Sequence, residues 1–123
     1  PANGLPVVEQ PRGDLEAADS WFLGEQGPQD IYPDTSQLDA SHIDPASVRF
    51  MVKQVEGADV VSVWVAKNHA GELCLIANIG SDGMTASSCA TREDFARDGL
   101  AFGANNILVS WDGNGVTVGQ TKG

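Results

Sequence analysis

From Val48 onward the chain consists of short runs rich in β-branched and aromatic residues, joined by connections that leave room only for tight turns. "VRFMVKQV" and "VVSVWVAK" flank "EGAD", "NHAG" leads into "ELCLIANI", "GSDG" into "MTASSCA", and "DGNG" separates "ILVSW" from "VTVG". Val, Ile, Thr and aromatic side chains suit a pleated, half-buried surface, and Gly and Asn supply the positive backbone angles that tight hairpins need. A parallel neighbour requires a crossover of about a dozen residues or more, which these connections cannot provide, so the strands are expected to run antiparallel as a meander.

Two stretches depart from the β pattern. In "TREDFARDG", Thr91 is a cap, Glu93 and Asp94 sit in the first turn where the helix dipole favours carboxylates, and Gly99 is a stop, so a helix is predicted between strands. In "DLEAADSWFLG", Asp14 can cap a short helix with Leu15, Ala18 and Phe22 on one face and Gly24 after it. A helix of that length is marginal alone and must dock on something. Residues 25–47 are turn-rich, with "IYPDT" and "IDPAS" reading as two similar turns that place Pro at the first turn position. "PANGLPVVEQPRG" reads as a linker or arm. The expected fold is therefore α+β: an antiparallel β-meander of six or seven short strands with one inserted helix and a short N-terminal helix. Residues 1–13 are the arm and 14–123 one domain, whose strand-rich core is 48–123. A length of 123 residues suits that reading.

Charge excludes some ligands. The chain carries a formal net charge of −10, unevenly spread: residues 1–50 hold nine Asp/Glu against Arg12 and Arg49, and residues 51–123 hold eight against five Lys/Arg. Such a field repels nucleic acid and anionic membrane surfaces, so neither is expected as a partner. It favours solubility, and it would also suit a basic protein surface. Apolar stretches such as 60–66 are far shorter than the roughly twenty residues of a membrane-spanning helix. The chain opens on Pro1 and its first Met is Met51, from which a further segment upstream is expected.

Few residues offer chemistry. Cys74 and Cys89 lie on either side of the "GSDG" turn, where neighbouring strands can bring their Cβ atoms to about 4 Å. A disulfide, a pair of buried thiols and a reactive or metal-bound cysteine are the alternatives, with the hairpin favouring the first. A bond there would be worth roughly 3 kcal/mol in the chain-entropy model and would imply an oxidising compartment. His42 and His69 fall in turns without the paired spacing of a zinc site. "DASHID" gathers Asp39, His42 and Asp44, as so acidic a segment does by composition alone. Ser87 and Ser88 have no nucleophile-elbow glycines, and "DGNG" has neither the Lys and helix of a phosphate loop nor the spaced carboxylates of a calcium loop. No catalytic residue, cofactor or metal ligand is assigned, and the expectation is a protein that is not an enzyme. Trp64 and Trp111 are expected in the core, while Trp21, Phe22 and Tyr32 form a candidate recognition surface. Arg49, Lys53 and Lys67, on two adjacent strands, raise the question of a cationic patch that could bind an anion.

The quoted "IDPASVR", "VWVAKNHAGELCLI", "SSCA" and "EDFARDGL", between residues 43 and 100, resemble small domains in proteins of actinobacteria that carry one membrane-spanning helix, a linker, and then this domain outside the membrane. The resemblance covers about half the chain. It implies an extracytoplasmic location, a Cys74–Cys89 bridge and an upstream membrane helix, and it brings no established activity. The expected function is an extracytoplasmic, non-enzymatic binding or sensing module of a membrane-anchored protein, its ligand an unspecified protein or small molecule. The alternative is an acidic inhibitor or immunity-type protein that covers a basic partner surface.

Overall fold

Among the described residues, seven antiparallel strands follow one another in a meander, as β propensity and turn spacing require. The structure is a computed structural model and describes residues 13–32, 38, 42–56, 59–80, 84–104 and 107–120. Strands β1 (Arg49–Glu56), β2 (Asp59–Lys67), β3 (Leu73–Ile79) and β4 (Met84–Ala90) form one sheet in chain order, and β5 (Leu100–Ala104), β6 (Ile107–Trp111) and β7 (Val116–Gln120) form a second. Helix α1 (Leu15–Ser20) precedes them and α2 (Arg92–Asp98) lies between β4 and β5, with 3-10 turns at Pro28–Asp30 and Pro45–Ser47. Residues 1–12 of the arm lie outside the described residues, as do parts of the "IYPDT" and "GSDG" turns, while its last residue, Gly13, is buried and donates to Ala96 O at 3.2 Å.

The division into two sheets is the feature that local patterning does not convey. Between β4 and β5 the chain makes α2 and then turns through Gly99, whose φ of 70° is open to glycine and strained for other residues. Strand β5 therefore starts a second layer, although it still packs beside β4. On the opposite side β1 packs beside β7, where the Gln54 amide donates to the Val118 carbonyl at 3.1 Å. Between the sheets lies a core built from Val61, Val63, Val65, Leu73, Leu75 and Ile79 on one side and Ile107, Val109, Trp111 and Val118 on the other. Phe95 of α2 completes it, its ring 4.9 Å from that of Trp111.

Helices α1 and α2 each begin where side-chain chemistry sets them. Asp14 Oδ1 accepts from the Ala17 amide at 3.0 Å, and Thr91 Oγ1 accepts from the Asp94 amide at 3.1 Å. Short α1 is held by tertiary contacts: Ala18 is buried in the core, Leu15 and Phe22 pack against it, and Arg92 of α2 grips Asp19 through two hydrogen bonds of 2.8 and 2.7 Å. That guanidinium holds the Asp19 carboxyl below its usual range. The turn between β6 and β7 then closes on α1. Asp14 N donates to Asp112 O at 2.7 Å, the Trp21 indole donates to Gly113 O at 2.9 Å, and Gly113 itself has φ of 100°.

A second core occupies the opposite face of the four-stranded sheet. Trp64, Ala66, Cys74 and Ile76 are covered there by Tyr32, Leu38, Ile43 and Val48 from the segment before β1. This cover is tied down by hydrogen bonds. The Asp30 carboxylate accepts from the amides of Gly27 and Phe50, both at 2.7 Å, and the Trp64 indole donates to Gln29 O at 3.3 Å. Gln26 Nε2 donates to the carbonyls of Pro45 and Val48.

Two expectations test this packing. A Cβ added at Gly113 would collide with the Asp14 carbonyl oxygen in a strained backbone region, so Gly113→Ala should lower the urea-unfolding free energy by about 2–3 kcal/mol. The control Gly119→Ala, where an added Cβ meets nothing within 4 Å, should change it by no more than about 0.5 kcal/mol; equal losses would refute the close approach. The Asp19–Arg92 pair is partly exposed, so solvent screens it and Asp19→Asn should cost only about 0.5 kcal/mol at neutral pH. Because the folded carboxyl titrates below its unfolded value, that contribution is present above the unfolded value and fades as pH falls through the folded one. Melts of wild type and variant should therefore converge in acid, and a constant gap would exclude the ion pair as the cause.

Candidate functional site

Cys74 and Cys89 are directly opposed in the β3–β4 register, and they form a disulfide. Their Cα atoms are 4.0 Å apart, and no cysteine is free. The bond sits within the second core, Cys74 fully buried and Cys89 packed at its margin, so it locks an edge strand to a central one under the cover segment. A disulfide fits an oxidising environment.

The three aromatic candidates do not form one exposed cluster. Tyr32 is 2% exposed and packs edge-on against Trp64, with ring centroids 4.8 Å apart, while its hydroxyl shares a 2.8 Å hydrogen bond with Thr85 Oγ1. Phe22 is half-buried against the first core, and Trp21, 38% exposed, is anchored through its indole at Gly113. Trp64 and Trp111 are both buried, as expected, though the Trp111 indole N–H finds no acceptor.

The three cations of β1 and β2 are also apart in environment. Arg49 is buried, Nη1 donating to Ala46 O and Val48 O and Nη2 to Gly24 O, at 2.8 to 3.0 Å, so its guanidinium is a clasp for the cover segment. Its Nε has no acceptor. Lys67 Nζ lies over the Phe22 ring, 4.9 Å from the centroid. Lys53 alone of the three stands exposed on the sheet, without a side-chain partner among the described residues.

The histidines meet at one turn through their backbones, His69 N donating to His42 O at 2.9 Å, and both are exposed. His42 has φ of 58°. Asp44 caps the 3-10 turn by accepting from the Ala46 amide at 3.0 Å, and Asp39 lies outside the described residues. Among the described residues no group of three or more His, Cys, Asp or Glu is arranged to hold a metal ion. A shallow depression of about 270 Å³ lies beside the second sheet, lined by Asp98, Ala101, Ser110, Asp112 and Thr117 among others. Asp112 Oδ1 there is already occupied by the amides of Asn114 and Gly115.

One alignment escapes a reading of the sequence strand by strand. Lys53 opposes Ser62, Ser62 opposes Asn78, and Asn78 opposes Thr85, so four polar residues form a single row across all four strands. The row shares its face with Trp64, Ile76 and Cys74 but lies beyond them, toward the β1–β2 turn, where Val55 and Val60 oppose each other at 68% and 40% exposure. The signal was present: Ser62 interrupts "VVSVWVA" and Asn78 interrupts "LCLIANI". Only the register reveals that the two interruptions face each other.

No protein-family model, curated protein or solved structure matches this chain.

Reducing the disulfide should lower the unfolding free energy by about 3 kcal/mol, the loop-entropy value for a separation of 15 residues, with the far-ultraviolet circular dichroism retained below the transition. Urea melts with and without a phosphine reductant measure this. Coincident curves would remove the bond from the list of contributions to stability.

Proposed function

We propose that this chain is an extracytoplasmic binding or sensing domain of a membrane-anchored protein, of the actinobacterial kind that residues 43 to 100 resemble, and that it performs no catalysis itself. The observation that carries the reading is the Cys74–Cys89 bond. It joins paired strands inside a core rather than sitting in a cleft beside a base, which suits a structural staple of an exported fold. The cover segment supports the same reading, because it fastens the stretch before β1 to the sheet while Lys53, Val55 and Val60 stay exposed on the same face.

One observation favours the second reading, an acidic protein that covers a basic partner surface. Cations are consumed internally: Arg92 is paired with Asp19, Arg97 is held by Asp94 and Asp98, Arg49 is buried and Lys67 lies on Phe22. Carboxylates such as Glu16 and Glu93 stand exposed, so part of the net charge of −10 lies at the surface, where a basic partner would meet it.

The primary reading predicts that cells making the natural gene product, quenched in acid and treated with an alkylating agent, yield a membrane-associated protein with no alkylated cysteine. It also predicts that a membrane-impermeant amine reagent labels Lys53 on intact cells. Two alkylated cysteines in a soluble cytosolic fraction would reject it. Under the second reading, capture of a basic partner weakens steeply between low and high salt, whereas salt-insensitive capture excludes it.

A further inference from the structure

We infer that the polar row Lys53–Ser62–Asn78–Thr85 is a binding site for a small organic carboxylate, which deepens the reading of the chain as a binding domain and rests on it. Strands β2 and β3 are the central strands of their sheet, and from Val61 to Ala66 and from Leu73 to Ile79 only Ser62 and Asn78 are polar. These two residues are cross-strand partners. Two independent breaks in otherwise apolar strands thus coincide at one place on one face. The next row on that face, Trp64 with Ile76, is buried beneath the cover segment, so the face changes from apolar and buried to polar and half-buried between adjacent rows.

Three of the row's four side chains are unspent. Among the described residues, Lys53, Ser62 and Asn78 make no side-chain hydrogen bond, although Ser62 and Asn78 are half-buried. Thr85 differs, since its hydroxyl is engaged by Tyr32, and that bond fixes the far end of the row to the cover segment. Half-buried hydroxyl and amide groups on rigid strands, with all their side-chain bonds available, are pre-positioned for a ligand that supplies the partners.

Charge and shape select the ligand class. Lys53 is exposed and unpaired, while the other described cations are buried, paired or set on an aromatic ring. It offers a single positive charge at one end of the row, suited to one carboxylate whose oxygens also reach Ser62 and Asn78. Beside it, Val55 and Val60 present an exposed apolar pair on the same face for the body of the molecule. The net charge of −10 opposes any anion, so a bare anion gains too little here, and the hydrogen bonds and apolar contact must supply the remainder.

The test is a titration of the isotope-labelled, oxidised chain with butyrate, followed by amide chemical shifts, with butyramide and inorganic phosphate as comparison probes. Butyrate should produce saturable shifts at Lys53, Val60, Ser62 and Asn78, and both comparison probes should bind more weakly. Lys53→Gln should weaken butyrate by about tenfold, and Ser62→Ala by about threefold to tenfold, with melting temperatures unchanged. Absence of saturable shifts with butyrate, equal binding of butyramide, or shifts that persist unchanged in both variants would overturn the assignment. Tighter binding of phosphate than of butyrate would do so as well. None of these outcomes bears on the thiol state or membrane association of the natural protein, so failure here leaves the broader reading to its own experiment.

Discussion

Strands β2 and β3 are apolar on both faces, and the rest of the molecule is arranged around that constraint. A sheet strand with one solvated face alternates polar and apolar residues; these two do not, over most of their length. Val61, Val63, Val65, Leu73, Leu75 and Ile79 require one apolar layer, and Trp64, Ala66, Cys74 and Ile76 require another. The second sheet with α2 supplies the first layer, and the segment before β1 supplies the other. Since burying a large aliphatic or aromatic side chain contributes about 1.5–3 kcal/mol, neither layer can be removed without exposing a substantial part of the stabilising surface. The N-terminal segment is therefore structural, even though its sequence is turn-rich and acidic.

What could be read from the sequence follows from the range of each interaction. Capping at Asp14 and Thr91, the stop at Gly99 and the order of hairpins depend on residues a few positions apart, and these were legible. The Cys74–Cys89 pairing was nearly so, because one hairpin fixes it. Three features were not, because each depends on contacts distant in sequence. Tyr32 was a surface candidate until Trp64 and Thr85, both more than thirty residues away, are seen to enclose it. Arg49 resembles a solvated strand cation, but carbonyls from Gly24, Ala46 and Val48 surround its guanidinium. The separation into two sheets depends on where α2 redirects the chain, and strand patterns carry no record of that.

Electrostatics divides along the same line between local and global. The net charge is strongly negative, and the arginines of the described residues are each engaged within the chain, Arg49 buried against carbonyls and the exposed Arg92 and Arg97 paired with carboxylates. Buried or paired cations stabilise particular contacts without offsetting the field at the opposite side of the molecule. A lysine left exposed against that background acquires local significance out of proportion to its charge. Lys53 has that position, and its neighbours in the row are neutral hydrogen-bonding groups rather than carboxylates that would neutralise it.

The disulfide and the polar row occupy opposite ends of one face, and the relation between them is mechanical. Cys74–Cys89 locks β3 to β4 at one end, the aromatic group of Tyr32, Phe50 and Trp64 fills the middle, and the Tyr32–Thr85 bond ties the cover to β4 where the row begins. Positioning groups to within a fraction of an ångström requires supports that do not themselves move. Central strands buried on both faces are such supports, and a cross-link on the same strand pair restricts the remaining freedom of the edge strand. A fold that cross-links one sheet face and ties its cover to Thr85, at the end of a polar row whose lysine is exposed, holds those four side chains far more rigidly than solubility requires.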